Sequence, residues 1–553
     1  MIDRIVFGNV LTLDAASSRA EGLAISGGSI VAVGSRTELM AMKSAETRVD
    51  DFGTATIIPG FNDTHAHVTA VGLRSQRPSL EGARSISEIQ QRIRALAAET
   101  PKGEWIVTMP VGTPPYYFDG PTGLSEQRMP DRSDLDAAAP DHPVYLSCPG
   151  GYWGQMPLTG AMNSLALRQN GIDRNKQPTA SGIEIERNAA GEPTGVFREK
   201  NFASVIEVDL FPAVPRFDGS DRMAALQHAI PLFHSKGTTS VYEGHGAAPD
   251  VMAAFRNLHE RGELTLRTSL VVAPTWRSNE EARRMMELDL VYAQGQGIGD
   301  AMLRVSGIFI PSYGNMKNNR FFDQDLSDLG WSDYNRATLD PEHFEDLALI
   351  AAQNDLRVHT VVSDRLAHVA PILKRIDSRY PLAGRRWVAE HISTASREGL
   401  EVLRQVGAGV TLIPANYVWK TGHLFADNPE APLDLLSPAK ALMEMGVPVA
   451  ASTDGCPYDP LVVMWAMVRR VMRETGEVAG SGGCLSNEQA LRALTCAGAW
   501  LSFDEIRKGQ LVPGFYADLA VFDKSPLETI GDEILDNPCL ATMVAGKWVY
   551  RAN

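Results

Sequence analysis

Thr56-Ile57-Ile58-Pro59-Gly60-Phe61-Asn62-Asp63-Thr64-His65-Ala66-His67 is the stretch on which the reading of this chain turns. Its apolar start reads as a strand, and in an extended strand alternate side chains share a face, so the two imidazoles point the same way. Two neutral imidazoles side by side are half of a zinc-type site, and a donor set of nitrogen and oxygen suits zinc, manganese or iron. A bare His-x-His also occurs in ordinary hydrogen-bonded loops. The setting decides: a strand end near the N-terminus, followed by further histidines and an aspartate at later strand ends.

Downstream, apolar strands alternate with helical patterns, the signature of βαβ units. The strands read as Thr238–Tyr242, Arg267–Val272, Leu303–Ile310, Leu356–His359, Trp387–Glu390, Gly409–Ile413 and Val447–Ser452, with helices such as Arg222–Ser235, Pro341–Gln353 and Arg397–Gln405 between them. With the strand before His65 these make the eight that an α/β, TIM-like (β/α)8 barrel requires. His359 closes Leu356-Arg357-Val358-His359, His391 closes Arg386-Trp387-Val388-Ala389-Glu390-His391, and Asp454 closes Val447 to Thr453. All fall where a barrel keeps its chemistry, at the C-terminal rim. Taken singly, each histidine reads equally well as a core hydrogen-bonder and Asp454 as an N-cap for a helix near Pro460. Four of the 12 histidines at strand ends favour the metal reading. His228, His234 and His259 lie in helical stretches and read as surface or packing residues.

Both ends of the chain are strand-rich. Arg4–Leu13, Gly22–Ile25 and Ser29–Val33, with Gly27-Gly28 as a hairpin turn, are matched by Tyr516–Phe522 and a hairpin over Thr542–Tyr550. The expected organisation is a small β-sandwich domain built from residues 1–55 and 509–553, around a metal-dependent barrel over residues 56–508. A long insertion, at about 68–236, follows the first barrel strand. Its prolines are interleaved with Tyr116, Tyr117, Phe118, Tyr152 and Trp153. It reads as a subdomain with its own aromatic core, or as a lid lending aromatic walls to the pocket.

Composition narrows the function classes. The 553 residues, 44% hydrophobic, can bury a large core. Lys and Arg number 52 against 67 Asp and Glu, and the net charge of −15 disfavours nucleic acid and anionic membranes as partners. The start runs straight into a strand pattern rather than a secretory signal, and no stretch is apolar enough to span a bilayer. Five scattered cysteines without a CxxC point to reduced thiols and a cytoplasmic location. A small-molecule substrate is the expected partner, with a homodimer as the assembly to consider.

The constellation Gly60-Phe61-Asn62-Asp63-Thr64-His65-Ala66-His67, then Arg386 to His391, then Ser452-Thr453-Asp454-Gly455-Cys456-Pro457 resembles the amidohydrolase superfamily. It is most similar to the family-3 branch of N-substituted formamide deformylase and exoenzyme-regulatory-type hydrolases. Supporting motifs are Asn163-Ser164-Leu165-Ala166-Leu167, Gly195-Val196-Phe197-Arg198-Glu199, Gly237 to Val241 and Gly514 to Leu519. The resemblance implies that His65, His67, His359 and His391 face one or two divalent ions, most simply zinc, and that Asp454 is the acid/base on the attacking water.

Two departures from the family pattern stand out, and the first raises the question of what bridges in its place. Phe309 stands where many relatives carry a carboxylated, metal-bridging lysine, so no carbamate bridge forms there, and Lys317 lies too far along to replace it. Glu243 is the first choice for a bridging ligand, with His245 or Glu199 behind it and a plain ion pair as the bland alternative. His359 also sits one residue further from Asp364-Arg365 than in relatives, which a bulge would absorb. A single-ion site is as well supported as a bridged pair.

Specificity is expected from the insertion and the rim: Tyr313, Asn315 and Lys317 after the fourth strand, and Asn416, Tyr417, Trp419 and Lys420 after the seventh. Aromatic and amide groups outnumber cations, which favours hydrolysis of a non-peptide C–N bond (amide, N-formyl or N-acyl) in a partly apolar or aryl compound. A deaminase is the runner-up, although Val361-Val362-Ser363 fills the place of the glutamate that deaminases of this fold carry. A catalytically inactive binding scaffold is the third reading.

Overall fold

The computed structural model describes residues 1–150, 154–201, 204–274, 276, 278–312, 343–426 and 432–552, and only the backbone of His245. Eight parallel strands form a nearly closed barrel in sequence order: Phe61–Ala66, Thr238–Ala247, Arg267–Val272, Leu303–Phe309, Val358–Val361, Val388–Glu390, Gly409–Leu412 and Val449–Ala451. A short strand, Ile298–Gly299, pairs antiparallel with the fourth.

Polar bonds close the barrel between its first and eighth strands. Asp454 N donates to His65 O at 2.9 Å, and Thr453 N donates to Asp63 Oδ1 at 3.1 Å. The Thr453 hydroxyl donates to the other oxygen of Asp63. Complete burial pushes the Asp63 carboxyl up to about 6, against the hydrogen bonds from Thr453 and His65 that favour its charged form.

Strand alternation sorts the barrel's side chains. Tyr242, Val271, Phe309, Val361, Val388 and Ala450 fill the interior together with Leu501. Their chain neighbours Ile308, Ile310, Ala389, Val449 and Ala451 join the larger core beneath the outer helices. At the floor, Arg357 Nη1 donates to the Tyr242 hydroxyl (2.8 Å), which donates to Leu501 O (3.0 Å). Phe309 is thus part of a packed apolar layer, which is why an aromatic ring is tolerated at the position expected to hold lysine.

Helices form where the caps permit. Arg397–Val406 starts at Ser396, whose hydroxyl accepts from Gly399 N at 3.1 Å, and stops at Gly407 with φ +67. The other two expected helices are Gly219–His234 and Phe344–Gln353; Pro341 lies outside the described residues.

Several strand boundaries differ from expectation: the second strand runs on past Tyr242 to Ala247, the eighth is shorter, Val449–Ala451, and two further differences bear on the site. The run from Thr56 is divided at Gly60, because Arg48–Pro59 belongs to the terminal sheet and the barrel begins at Phe61. A side chain at Gly60 would sit 2.2 Å from Thr239 Cγ2. The fifth strand starts at Val358, not Leu356, because Leu356 N still bonds to Ala351 O as the preceding helix unwinds through Asp355, φ +53. His359 is therefore the second residue of its strand rather than the last.

The two ends of the chain build one seven-stranded sheet. Its strand order is Lys547–Arg551, Cys539–Val544, Leu519–Phe522, Arg48–Pro59, Arg4–Leu11, Arg19–Ser26 and Ser29–Gly34. The Gly27-Gly28 turn has φ of +58 and +80, the left-handed pair a two-residue hairpin needs. The sheet folds over on itself, with Ala517 N donating to Gly28 O and Ile30 N to Phe515 O, so the two layers of the expected sandwich are one continuous sheet.

Residues 69–226 belong to a second compact unit with a five-stranded sheet of its own: Ile106–Thr108, Val144–Leu146, Leu158–Met162, Pro193–Glu199 and Ile183–Arg187. Asn163 holds it locally, its Oδ1 accepting from Val144 N (3.0 Å) and Ala166 N (2.9 Å). Tyr116 and Phe118 stack at 5.0 Å, while Tyr152 and Trp153 lie outside the described residues.

All five cysteines are free thiols. Among the described residues no helix is long and apolar enough to cross a membrane.

His234 is a buried packing residue, with Nδ1 2.9 Å from Thr238 O and Nε2 3.0 Å from Thr265 Oγ1. Burial lowers its pKa to about 4. Below pH 6.5 the unfolded chain takes up a proton that the folded chain refuses down to about pH 4, so stability falls as pH falls through that window. The whole shift is worth roughly 3 kcal/mol. In urea titrations at several pH values, His234→Gln should unfold with a shallower pH slope between 6.5 and 4 than the parent; equal slopes would contradict this.

Candidate metal centre

Donor atoms of His65, His67 and Asp454 all lie within 4.8 Å of one another. His67 Nε2 is 3.1 Å and His65 Nε2 3.5 Å from Asp454 Oδ1, and His391 Nε2 is 3.0 Å from His65 Nε2. The His65 and His67 rings stand 5.2 Å apart, at 79°. Ligands on a tetrahedral zinc at 2.0–2.1 Å are separated by roughly 3.3 Å. The spacing observed here fits a shared ion, and the donor set of imidazoles and a carboxylate fits zinc chemistry.

Backbone geometry delivers these groups. His391 (φ +58) and Asp454 (φ +58) both adopt the left-handed conformation just beyond their strands. That conformation is uncommon for non-glycine residues, although His and Asp tolerate it better than most, and it concentrates at functional sites. Gly244 (φ +40) lets the second strand pass close to His67: a Cβ there would lie 2.4 Å from His67 Cε1 and Nδ1.

Of the other residues named from the sequence, His359 lies within the barrel but outside the compact donor group. Its Nδ1 is 2.8 Å from Glu390 Oε1, and its Nε2 is buried with no hydrogen-bond partner among the described residues. Burial, followed by the nearby Arg357 charge, pushes its pKa down to about 4, so the ring is neutral at pH 7, as a ligand must be. Glu243 is buried and accepts from Val68 N at 3.0 Å, anchoring the chain just after His67, and it too lies outside the compact group. Glu199 is engaged inside the insertion, accepting from Val205 N (2.8 Å) and Asn201 Nδ2 (3.1 Å). The side chain of His245, and Tyr313, Asn315 and Lys317, fall outside the described residues.

Sequence reasoning passed over Glu390. It is buried, with Oε1 on His359 Nδ1 and Oε2 3.4 Å from His65 Nδ1. The signal was present in the alternation: Val388 faces the barrel interior, so Glu390, two residues on, does too. His391 reaches the site through its left-handed turn instead.

After the seventh strand, residues Ala415–Lys420 form a π-helical turn, a conformation frequent at functional sites. Asn416 and Lys420, four apart in a turn closed by Thr421 N to Asn416 O at 2.9 Å, lie on nearly the same face. The ring of Tyr417 is 6.4 Å from that of His391. Both amide atoms of Asn416 are buried without a hydrogen-bond partner among the described residues. Burial brings the Lys420 ammonium down to about 8, while nearby Cys456 and Asp454 pull the other way. Trp419 packs against the main core instead.

Known proteins share this fold and, over most of the chain, its sequence family. An N-substituted formamide deformylase from Arthrobacter pascens is 25% identical over 99% of this chain and 98% of its own. The crystal structure of an uncharacterized metal-dependent hydrolase from Pyrococcus furiosus superposes with a TM-score of 0.67, covering 95% of this chain and all of the other, at 19% identity. An atrazine chlorohydrolase from Arthrobacter aurescens TC1, complexed with zinc, shares the fold at a TM-score of 0.53 and 14% identity, over 99% of this chain and 95% of that one. The model of the amidohydrolase family matches residues 51–550, and the chain belongs to that family.

Proposed function

We propose that this hydrolase cleaves a non-peptide C–N bond, in a linear amide or an N-formyl or N-acyl amine with an apolar or aryl portion, by attack of water assisted by a divalent ion, most simply zinc. The observation that carries the reading is the convergence of His65, His67 and Asp454 within 4.8 Å, with His391 alongside. The deformylase named above acts, by its name, on substrates of this kind.

When bound, the ion supplies a Lewis acid that polarises the scissile carbonyl and brings an attacking water's pKa to about 7. His65 and His67 would hold it from the end of the first strand, with His391 and His359 as the remaining candidate nitrogen donors. Asp454, on the opposite side of the barrel's closing seam, takes the proton of the attacking water and returns it to the departing amine. Asn416 carries a donor and an acceptor with no hydrogen-bond partner among the described residues, which suits the amide group of a substrate. A deaminase reading finds Val361 and Val362, both buried and apolar, where it needs a carboxylate soon after His359.

Screening N-formyl, N-acyl and aryl amides for amine release, with metal-loaded and chelator-stripped protein in parallel, tests the reading; no turnover with either form on any of these classes would refute it. Asp454→Asn should keep bound metal and lose about 10³-fold in kcat, the scale of a removed acid/base. Full activity would show that Asp454 moves no proton. Gly244→Ala, by forcing a methyl group into the His67 ring, should weaken metal binding at least about tenfold in a chelator competition, a loss of ~1.4 kcal/mol. Unchanged affinity would remove His67 from the ligand set. Asn416→Ala should lower kcat/KM by about tenfold, one lost hydrogen bond, with metal content unaffected. An unaltered kcat/KM would exclude Asn416 from the substrate site.

A further inference from the structure

We infer that Glu390 is a positioning residue that fixes the tautomers of two imidazoles at once, so that His65 and His359 each present a bare Nε2 before any ion arrives. The inference rests on the metal reading above for its purpose but not for its geometry. One carboxylate reaches two histidines from strands on different sides of the barrel: Oε1 is hydrogen-bonded to His359 Nδ1 at 2.8 Å, and Oε2 makes a longer charge contact, 3.4 Å, with His65 Nδ1 that falls outside hydrogen-bond geometry. Glu390, His65 and His359 are each at most 2% exposed, so water does not compete for these contacts.

An ionised carboxylate accepts and cannot donate. His359 Nδ1, hydrogen-bonded to it, therefore carries the hydrogen, and the negative oxygen facing His65 Nδ1 favours the hydrogen there as well; in a neutral imidazole the other nitrogen is then a lone pair. For His65 that lone-pair atom is the Nε2 standing 3.0 Å from His391 Nε2 and 3.5 Å from Asp454 Oδ1. For His359 it is the buried Nε2 that has no hydrogen-bond partner among the described residues. A buried polar atom left unpaired costs about 1–3 kcal/mol. An arrangement that spends a buried carboxylate to hold such an atom in place makes sense if a ligand fills it, and histidines that bind metal are commonly oriented by a carboxylate on the second nitrogen.

The placement also explains why the sixth strand ends Glu390-His391. Val388 and Glu390 face inward by alternation, while the left-handed turn at His391 sends its ring to the rim. One strand so contributes a group below the site and a group beside it.

Glu390→Gln separates positioning from simple space-filling, because it keeps the shape and changes one acceptor into a donor. The imidazole facing the amide NH2 must then give up its Nδ1 hydrogen and move it to Nε2, blocking that nitrogen. With protein labelled with ¹⁵N at histidine and stripped of metal, the parent should show both His65 and His359 as the Nδ1–H tautomer, assigned with His65→Gln and His359→Gln. Glu390→Gln should show one of them switched to Nε2–H, and its zinc affinity, read by competition with a chromophoric chelator, should fall about ten- to a hundredfold. Either parent imidazole found as Nε2–H overturns the proposal, as does a Glu390→Gln protein with unchanged tautomers and zinc affinity. The parent measurement stands even should the variant fail to fold. A parent with both tautomers as assigned but no affinity for any divalent ion would sink the proposed function and leave the positioning intact.

Discussion

Closure of the barrel between its first and eighth strands is the constraint from which the site follows. Asp63 receives the backbone and hydroxyl of Thr453, and His65 O receives the amide of Asp454, so residues almost four hundred positions apart in the chain share one seam. Residues 63–67 on one side and Thr453-Asp454 on the other carry both the structural bonds and the candidate chemical groups. His65 and His67 cannot drift from Asp454 without breaking the seam. Burial of the Asp63 carboxyl opposes its ionisation, which makes this a seam of high-energy polar groups held in place by complete hydrogen bonding rather than by apolar packing.

Below the seam the barrel is ordinary core. Tyr242, Val271, Phe309 and Val388 interdigitate, and Arg357 ties the floor through Tyr242 to Leu501. Phe309 gives the layer under the site a flat apolar lid where relatives with a carboxylated lysine would place a charge. The polar layer above it is built from other residues: Glu390, His359 and Glu243, of which Glu390 contacts two histidines and Glu243 anchors the backbone beyond a third.

Much of the barrel was legible because its strands are short apolar runs punctuated by capped helices, as in Ser396 to Gly407. The His65-Ala66-His67 pair and Asp454 were legible for a simpler reason: polar residues at the ends of apolar strands have few structural excuses. What escaped were features set by tertiary contact. The division of the first run at Gly60 depends on Thr239 crowding that position, and the late start of the fifth strand depends on Leu356 remaining bonded to the helix before it. Glu390 is hard to read from the sequence because its neighbour His391 takes the strand end; the inward alternation from Val388 is what places its carboxylate beside His359 and His65. The buried amide of Asn416, without a hydrogen-bond partner among the described residues, sits on a π-helical turn that no periodicity in the sequence announces.

The most direct test of the account is a crystal structure of the protein grown with zinc, with data collected on both sides of the zinc absorption edge. The account predicts an anomalous peak about 2.0–2.2 Å from His65 Nε2, His67 Nε2 and an oxygen of Asp454. A map with no peak among these groups, or with the imidazoles turned away from one another and the ion bound elsewhere, would contradict it.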